Sequence, residues 1–297
     1  MRTLLLGLDG LDPDLVEEYE LDNIQSIGEG FEIKTHGNSG PSWASVLTGL
    51  TPDEHGVRKL EPQQTSQSWE GTPIWEKVDG YSGIANVPLT YPPTQLKGWM
   101  VTSLMTPKKA IYTYPRNLYK DLDDLDYKVD VWIDEHKNHP NGHYGTIPFE
   151  FTQEYKKGLL DRLTTVMRTR SNAFIYLINN EPADFMFLCY TSLDRIQHLV
   201  FDDEPTLRYF YNLLDIQVEK ILDAIDDDVE IFITSDHGFR EIDMPDTDIK
   251  GEHREEGYGN VNVPNNKFSN LQQLHNNVVD SANRNNIENK LEDLGYI

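Results

Sequence analysis

The chain of 297 residues carries 50 acidic against 26 basic side chains, a formal net charge of −24. Such a surface repels nucleic-acid polymers and anionic lipid, which excludes both as partners. The single cysteine, Cys189, excludes an internal disulfide, and no apolar run reaches the roughly 18 residues a membrane span needs. The opening MRTLLLGLDG has too short an apolar core for a signal peptide, so a cytoplasmic protein is expected. Because the acidic excess is spread along the chain, it also predicts a halophilic protein whose self-repulsion high salt screens.

TLLLGLD predicts a buried strand ending at Asp9, followed by the turn GLDPD and a short helix from Asp14. FEIKTHG reads as a second strand. PSWASVLTG reads as a helix with Ser39 as its N-cap, Pro41 in its first turn and Gly49 at its close. SGIANVP and GWMVTS are short strands joined by the proline-rich LTYPPTQ. Residues 106–148 lack periodicity and are expected to form an inserted cap or lid on a single domain spanning 1–297. A long amphipathic helix comes next, over 152–180, with Leu159, Leu160, Leu163, Val166 and Met167 at helical spacing. The near-continuous apolar run ADFMFLCY suits the centre of a parallel sheet. A helix over 205–225, the strand VEIFITSD and a terminal helix IENKLEDLGYI complete the chain, the last packing back through Ile287, Leu291 and Leu294. Strands alternating with helices predict an α/β fold, a mostly parallel central sheet with helices on both faces.

Acidic and imidazole side chains gather at the strand ends. Asp9 ends the first strand, Asp194 comes after FMFLCY, and Asp236 with His237 after VEIFITS. Parallel sheets bind ligands outside the carboxyl ends of their strands. In LDRIQH, Asp194 and His198 stand four apart and share a helix face, while His253 lies in the glycine-bounded GEHREEG. Carboxylates and imidazoles converging at one edge call for cations, and this donor set favours zinc or manganese over calcium or magnesium. A hydroxyl at Ser39 would face the unpaired amides of a helix N-terminus, a ready phosphate site, and Gly40 leaves the backbone open to approach. Alone, each residue also has a bland reading as cap, turn former or surface pair. His36, His55 and His275 are expected to be structural or solvated, and His136, His139 and His143 to lie on the cap.

These stretches resemble the alkaline phosphatase superfamily, in particular the predicted phosphohydrolase/phosphomutase group of its type I phosphodiesterase/nucleotide pyrophosphatase branch. LLLGLDG, SGPSWASVLTGLTPDEHGV, IANVPLTYPP, TSLDRIQHLVF, ITSDHGF and GEHREEG occur in the family's order, from Leu4 to Gly257. The resemblance implies an alkaline phosphatase-like fold and two divalent metal ions. One would be held by Asp194, His198 and His253, the other by Asp9, Asp236 and His237, with Ser39 as a nucleophile that forms a phosphoseryl intermediate. The implied substrate is a small-molecule, glycan-linked or lipid-linked phosphate ester, with a diester favoured over a monoester. Ser42 stands where relatives usually carry Asn, so the Gly40 amide, Arg195 or Arg254 are candidates to contact phosphoryl oxygens instead. The stretch after GEHREEGYG is short for the family, which predicts a reduced final strand region.

Other readings compete. A sulfatase would need Arg where Trp43 stands, and a cofactor-independent mutase needs a larger inserted domain. Phosphotransfer within the same superfamily and a non-catalytic metal-binding protein also stay open. Metal content separates the last of these, since two ions per chain are expected only of the enzyme.

Overall fold

Three largely apolar runs make the centre of one mixed sheet, and their order in space decides where the polar strand ends meet. The computed structural model describes residues 2–60, 66, 68–104, 106–107, 110–131, 152–243, 247–263 and 266–294. In chain order the elements are β1 (Thr3–Leu8), α1 (Pro13–Glu18), α2 (Asp22–Ser26), β2 (Phe31–Lys34), α3 (Ser39–Thr48), α4 (Pro52–His55), α5 (Ile74–Lys77), β3 (Ser82–Ala85), β4 (Gly98–Val101) and β5 (Thr113–Tyr114). They continue as α6 (Tyr119–Asp124), α7 (Gln153–Asn180), β6 (Phe185–Tyr190), α8 (Ser192–Val200), α9 (Glu204–Leu222), β7 (Glu230–Thr234), β8 (Gly238–Glu241), β9 (Gly251–Arg254), β10 (Glu256–Val261) and α10 (Leu271–Asp293).

The main sheet has the order β2-β10-β7-β1-β6-β3-β4-β5. From β7 to β4 every neighbouring pair is parallel, while β10 and β5 run antiparallel to theirs. β1 is central and buried along its whole length, because its alternate side chains enter two different cores. Leu4, Leu6 and Leu8 pack with α7, α8 and α9 on one face; Leu5 packs with α3, α5 and α10 on the other. The register Gly7 to Cys189 and Gly7 to Thr234 brings the carboxyl ends of β6, β1 and β7 level. β8 and β9 form a separate antiparallel ribbon beside that edge.

GEHREEGYG itself supplies β9 and most of β10, and β10 pairs with both β7 and β2 before the chain passes to α10. The terminal helix begins at Leu271 and is held by Leu271, Leu274, Val278 and Ala282, whereas Ile287, Leu291 and Leu294 are exposed. The described part of 106–148 lies against the sheet, with β5 extending its edge and Leu118, Leu122, Tyr127 and Val131 inside the larger core. The rest of that stretch, including His136, His139 and His143, falls outside the described residues. No helix of the described residues is long and apolar enough to cross a membrane.

Candidate active site

β1 delivers Asp9 and turns at Gly10, whose φ of 77° glycine adopts without steric cost. A Cβ there would sit 3.1 Å from the Cα of Asp194, so glycine also lets this loop close on α8. The adjacent β7 delivers Asp236 and His237. All three side chains are at most 2% exposed. His237 Nε2 stands 3.5 Å from Asp9 Oδ1 and 3.4 Å from Asp236 Oδ2. The outer atoms are committed elsewhere. Trp43 Nε1 donates to Asp9 Oδ2 at 3.0 Å, the Gly10 amide donates to Asp236 Oδ1 at 3.1 Å, and His237 Nδ1 donates to the Gly238 carbonyl at 3.1 Å. A ring nitrogen that donates to a carbonyl carries the proton, so Nε2 of His237 presents a lone pair.

The inward-facing atoms are therefore acceptors. Asp9 Oδ1 and Asp236 Oδ2 are buried without a hydrogen-bond partner, and the Ser39 hydroxyl, 3.2 Å from His237 Nε2, is the donor beside them. Each orphaned oxygen costs about 1–3 kcal/mol, more when charged. A divalent cation would remove that cost, so these residues fit a metal ion.

The second group is more open. Asp194 and His198 lie one turn apart on α8, and His253 arrives from β9; their side chains are 17%, 23% and 21% exposed. His253 Nε2 lies 3.0 Å from Asp194 Oδ1 and 3.0 Å from His198 Nε2. His198 Nδ1 donates to the Gly251 carbonyl at 2.7 Å, which again turns an Nε2 lone pair inward. In each group, one ligand atom per residue lies within 4.8 Å of the others. Asp194 Oδ1 also lies 3.7 Å from His237 Nε2, so the groups are contiguous. The His237 and His253 rings stack directly at 3.6 Å, and Phe239 packs beside them, its ring 4.8, 5.1 and 5.6 Å from the rings of His198, His253 and His237.

Electrostatics reflect the crowding. Burial first, then the charges of Asp236 and Asp194, raises the Asp9 carboxyl well above the usual range. Burial and Asp194 push Asp236 up to about 7. Burial would raise Asp194 too, but the imidazoles of His198 and His253 outweigh it and hold that carboxyl low. His237 is driven well below the ordinary imidazole value by burial, then by His253.

Ser39 is the first residue of α3, and the cap is Asn38. Asn38 has extended backbone, and its Oδ1 accepts from the amides of Gly40 at 3.2 Å and Leu60 at 3.1 Å. The Gly40 amide is thus used by the cap. A Cβ on Gly40 would collide with the Lys59 carbonyl and the Leu60 amide, so its bareness serves chain packing. Ser42 is fully buried, its Oγ accepting from the His36 amide at 3.3 Å. Arg195 donates to Asp130 at 2.6 Å and to Thr191, and Arg254 forks onto Asp12 at 2.8 and 3.0 Å and reaches Asp14. Gly40, Ser42, Arg195 and Arg254 are thus each engaged in a bond within the chain, and the Arg195 charge also acts on Asp9. His36 and His55 bond Ser45, and His275 Nδ1 donates to the Val46 carbonyl.

Asp12, Trp43, Asp130 and Phe239 escaped the sequence reading. For Trp43 a signal existed, since it lies one helical turn beyond Ser39 and so shares its face. For Asp12 and Asp130 no local pattern reveals partners 242 and 65 residues away.

A sequence model of the type I phosphodiesterase / nucleotide pyrophosphatase family matches residues 3–294. The chain belongs to this family. The family is that of type I phosphodiesterases and nucleotide pyrophosphatases, hydrolases of phosphoester bonds. Among solved structures, murine ectonucleotide pyrophosphatase/phosphodiesterase 5 is 17% identical with a TM-score of 0.48, covering 82% of this chain and 58% of its own. Phosphonoacetate hydrolase from Sinorhizobium meliloti 1021 is 13% identical with a TM-score of 0.47, covering 83% and 58%. A mutant of the alkaline phosphatase TAB5 with Mg bound in its M3 site is 13% identical with a TM-score of 0.53, covering 95% and 97%. That last likeness shows a common alkaline phosphatase-like α/β fold. The chain thus spans 58% of the length of the first two. No curated protein matches the sequence.

Proposed function

We propose that this family member hydrolyses a small phosphate ester at a two-metal centre, with Ser39 as nucleophile. The observation that carries the reading is the pair of buried, partnerless oxygens, Asp9 Oδ1 and Asp236 Oδ2, beside the His237 lone pair and the Ser39 hydroxyl. Asp9, Asp236 and His237 would hold one ion, and Asp194, His198 and His253 the other. When bound, divalent ions supply Lewis acidity toward phosphoryl oxygens and lower the cost of a serine alkoxide. Ser39 Oγ attacks phosphorus as its proton leaves to solvent, and the bond from phosphorus to the alcohol oxygen breaks. Water then attacks the phosphoserine, and the bond from phosphorus to Oγ breaks in turn. Zinc is favoured over manganese because three of the six ligands are imidazoles.

A diester is favoured over a monoester. Arg195 and Arg254, the two arginines nearest the ligands in sequence, are spent on Asp130 and on Asp12 with Asp14. A monoanion needs less compensating charge than a dianion. The single buried thiol and the spread of acidic residues support a cytoplasmic, salt-adapted protein; full stability in dilute buffer would exclude the salt adaptation. The test of function compares bis-(p-nitrophenyl) phosphate with p-nitrophenyl phosphate in high KCl, with Zn²⁺ or Mn²⁺. Ser39→Ala is expected to lower diester turnover by roughly 10⁴-fold or more. Equal turnover by both proteins would remove Ser39 from the role.

A further inference from the structure

Asp12 lies three residues beyond Asp9 and is 2% exposed, yet it belongs to neither metal-ligand group among the described residues. Its two oxygens together accept from three separate segments. Oδ1 takes the amides of Asp14 at 3.0 Å and Leu15 at 3.3 Å, capping α1. Oδ2 accepts the Phe239 amide at 2.9 Å, on β8, and Arg254 Nε at 2.8 Å, on β9. Arg254 Nη2 completes the fork on Oδ1 at 3.0 Å. One oxygen therefore joins both strands of the ribbon to the loop that carries Asp9. Gly238 accommodates this, because a Cβ there would lie 2.7 Å from Asp12 Oδ2 and collide with the Glu256 carbonyl. The ribbon register sets Gly238 opposite Arg254 and Phe239 opposite His253.

We propose that Asp12 is a positioning residue: through its clasp on Phe239 and Arg254 it fixes His253 against Asp194, and so sets the affinity of the more open ion site. The inference rests on the two-ion reading above. Asp9 and Asp236 are placed by β1 and β7 within the cores, and His237 joins β7 to the ribbon, its Nδ1 on the Gly238 carbonyl at the start of β8. His198 sits on α8, its Nδ1 donating to the Gly251 carbonyl of β9. Of the six ligands, His253 alone rides on the ribbon, and a buried carboxylate with a bidentate arginine is the geometry that holds an orientation tightly.

The test is metal binding to the full chain, read as bound equivalents of Zn²⁺ and as affinity by chelator competition. The native chain is expected to hold two equivalents. Asp12→Asn and Arg254→Ala are each expected to keep one equivalent at native affinity and to weaken the second about 10–100-fold, as lost supports of ligand histidines do. Arg254→Lys should not restore it, since a lysine lacks the fork. Arg254→Ala leaves Asp12 in place to cap α1 and hold the Phe239 amide, so the test survives if Asp12→Asn does not fold. Amide exchange of the metal-free chain should quicken within β8 and β9 in both variants. A second equivalent of unchanged affinity, or equal weakening of both, would overturn the role of Asp12. A native chain holding fewer than two equivalents would instead overturn the two-ion reading, and the inference with it.

Discussion

Asp9, Asp236 and His237 leave the ends of two central strands and are sealed between two cores, whereas Asp194, His198 and His253 come from a helix and a two-stranded ribbon and stay open to water. The sealed group bears two buried carboxyl oxygens without hydrogen-bond partners, so an empty state is expensive there. In the open group, Asp194 and the two imidazoles satisfy one another without an ion. Occupancy should therefore differ: the sealed site holds its ion tightly and exchanges it slowly, and the open site trades it readily.

The largest effect that would break this contrast comes from Asp236→Asn. Turnover should fall by roughly 10³-fold or more as the sealed ion is lost. Above about pH 7 the metal-free variant should nonetheless be more stable than the metal-free native chain, by about 1–3 kcal/mol, because the Asp236 carboxyl, pushed up to about 7, is charged there and the amide is not. Denaturant unfolding with chelator present checks the sign; a loss of stability would mean that the carboxylates are not frustrated. Next in size is an acid effect remote from the centre. Burial, with Lys77 adding to it and the Val46 carbonyl opposing, lowers His275 from 6.5 to about 4. Its folded value is depressed, so the unfolded chain takes up the proton first. The stability it contributes is present above pH 6.5 and is lost as pH falls toward about 4, by about 3 kcal/mol in all. In His275→Gln, unfolding measured across this window should show a shallower slope; an unchanged slope would place the acid sensitivity elsewhere.

Smaller still is Trp43→Phe, which removes the donor to Asp9 Oδ2 while keeping a ring against Gly7 and Phe187. Affinity for the sealed ion should drop about 10-fold, with the open site unaffected. Chelator dialysis sharpens the contrast without mutation. Metal content should fall from two equivalents through a plateau at one, and turnover should vanish at the first step. Loss of both ions in a single phase would erase the distinction.

Strand ends were legible because β1, β6 and β7 are largely apolar runs that each give way to polar residues, and this placed Asp9, Asp236 and His237 on one edge, with α8 following β6. The N-terminus of α3 was misplaced by one residue, since Asn38 and Ser39 are both good caps and only the extended backbone of Asn38 decides between them. α10 was hidden by composition. Its first half is rich in Asn and Gln, and part of its buried face is polar, with Ser281 and Asn285 meeting Thr3. Apolar periodicity therefore pointed to Ile287, Leu291 and Leu294, the face that turns outward. The partners of the arginines were hidden for a different reason. A guanidinium close to a ligand in sequence looks available until its distant carboxylate is known, and Asp12 and Asp130 become visible as partners only when the chain is folded.

Cys189 offers a practical handle on the sealed group. It sits on β6 beneath those ligands, wholly inaccessible, with burial and the charges of Asp9 and Asp236 pushing its thiol well above the ordinary value. Oxidants and alkylating reagents meet it only when the central strands part. The rate of its modification is thus a clock for opening of the sheet beneath the ligands, and that clock should slow when Zn²⁺ is added.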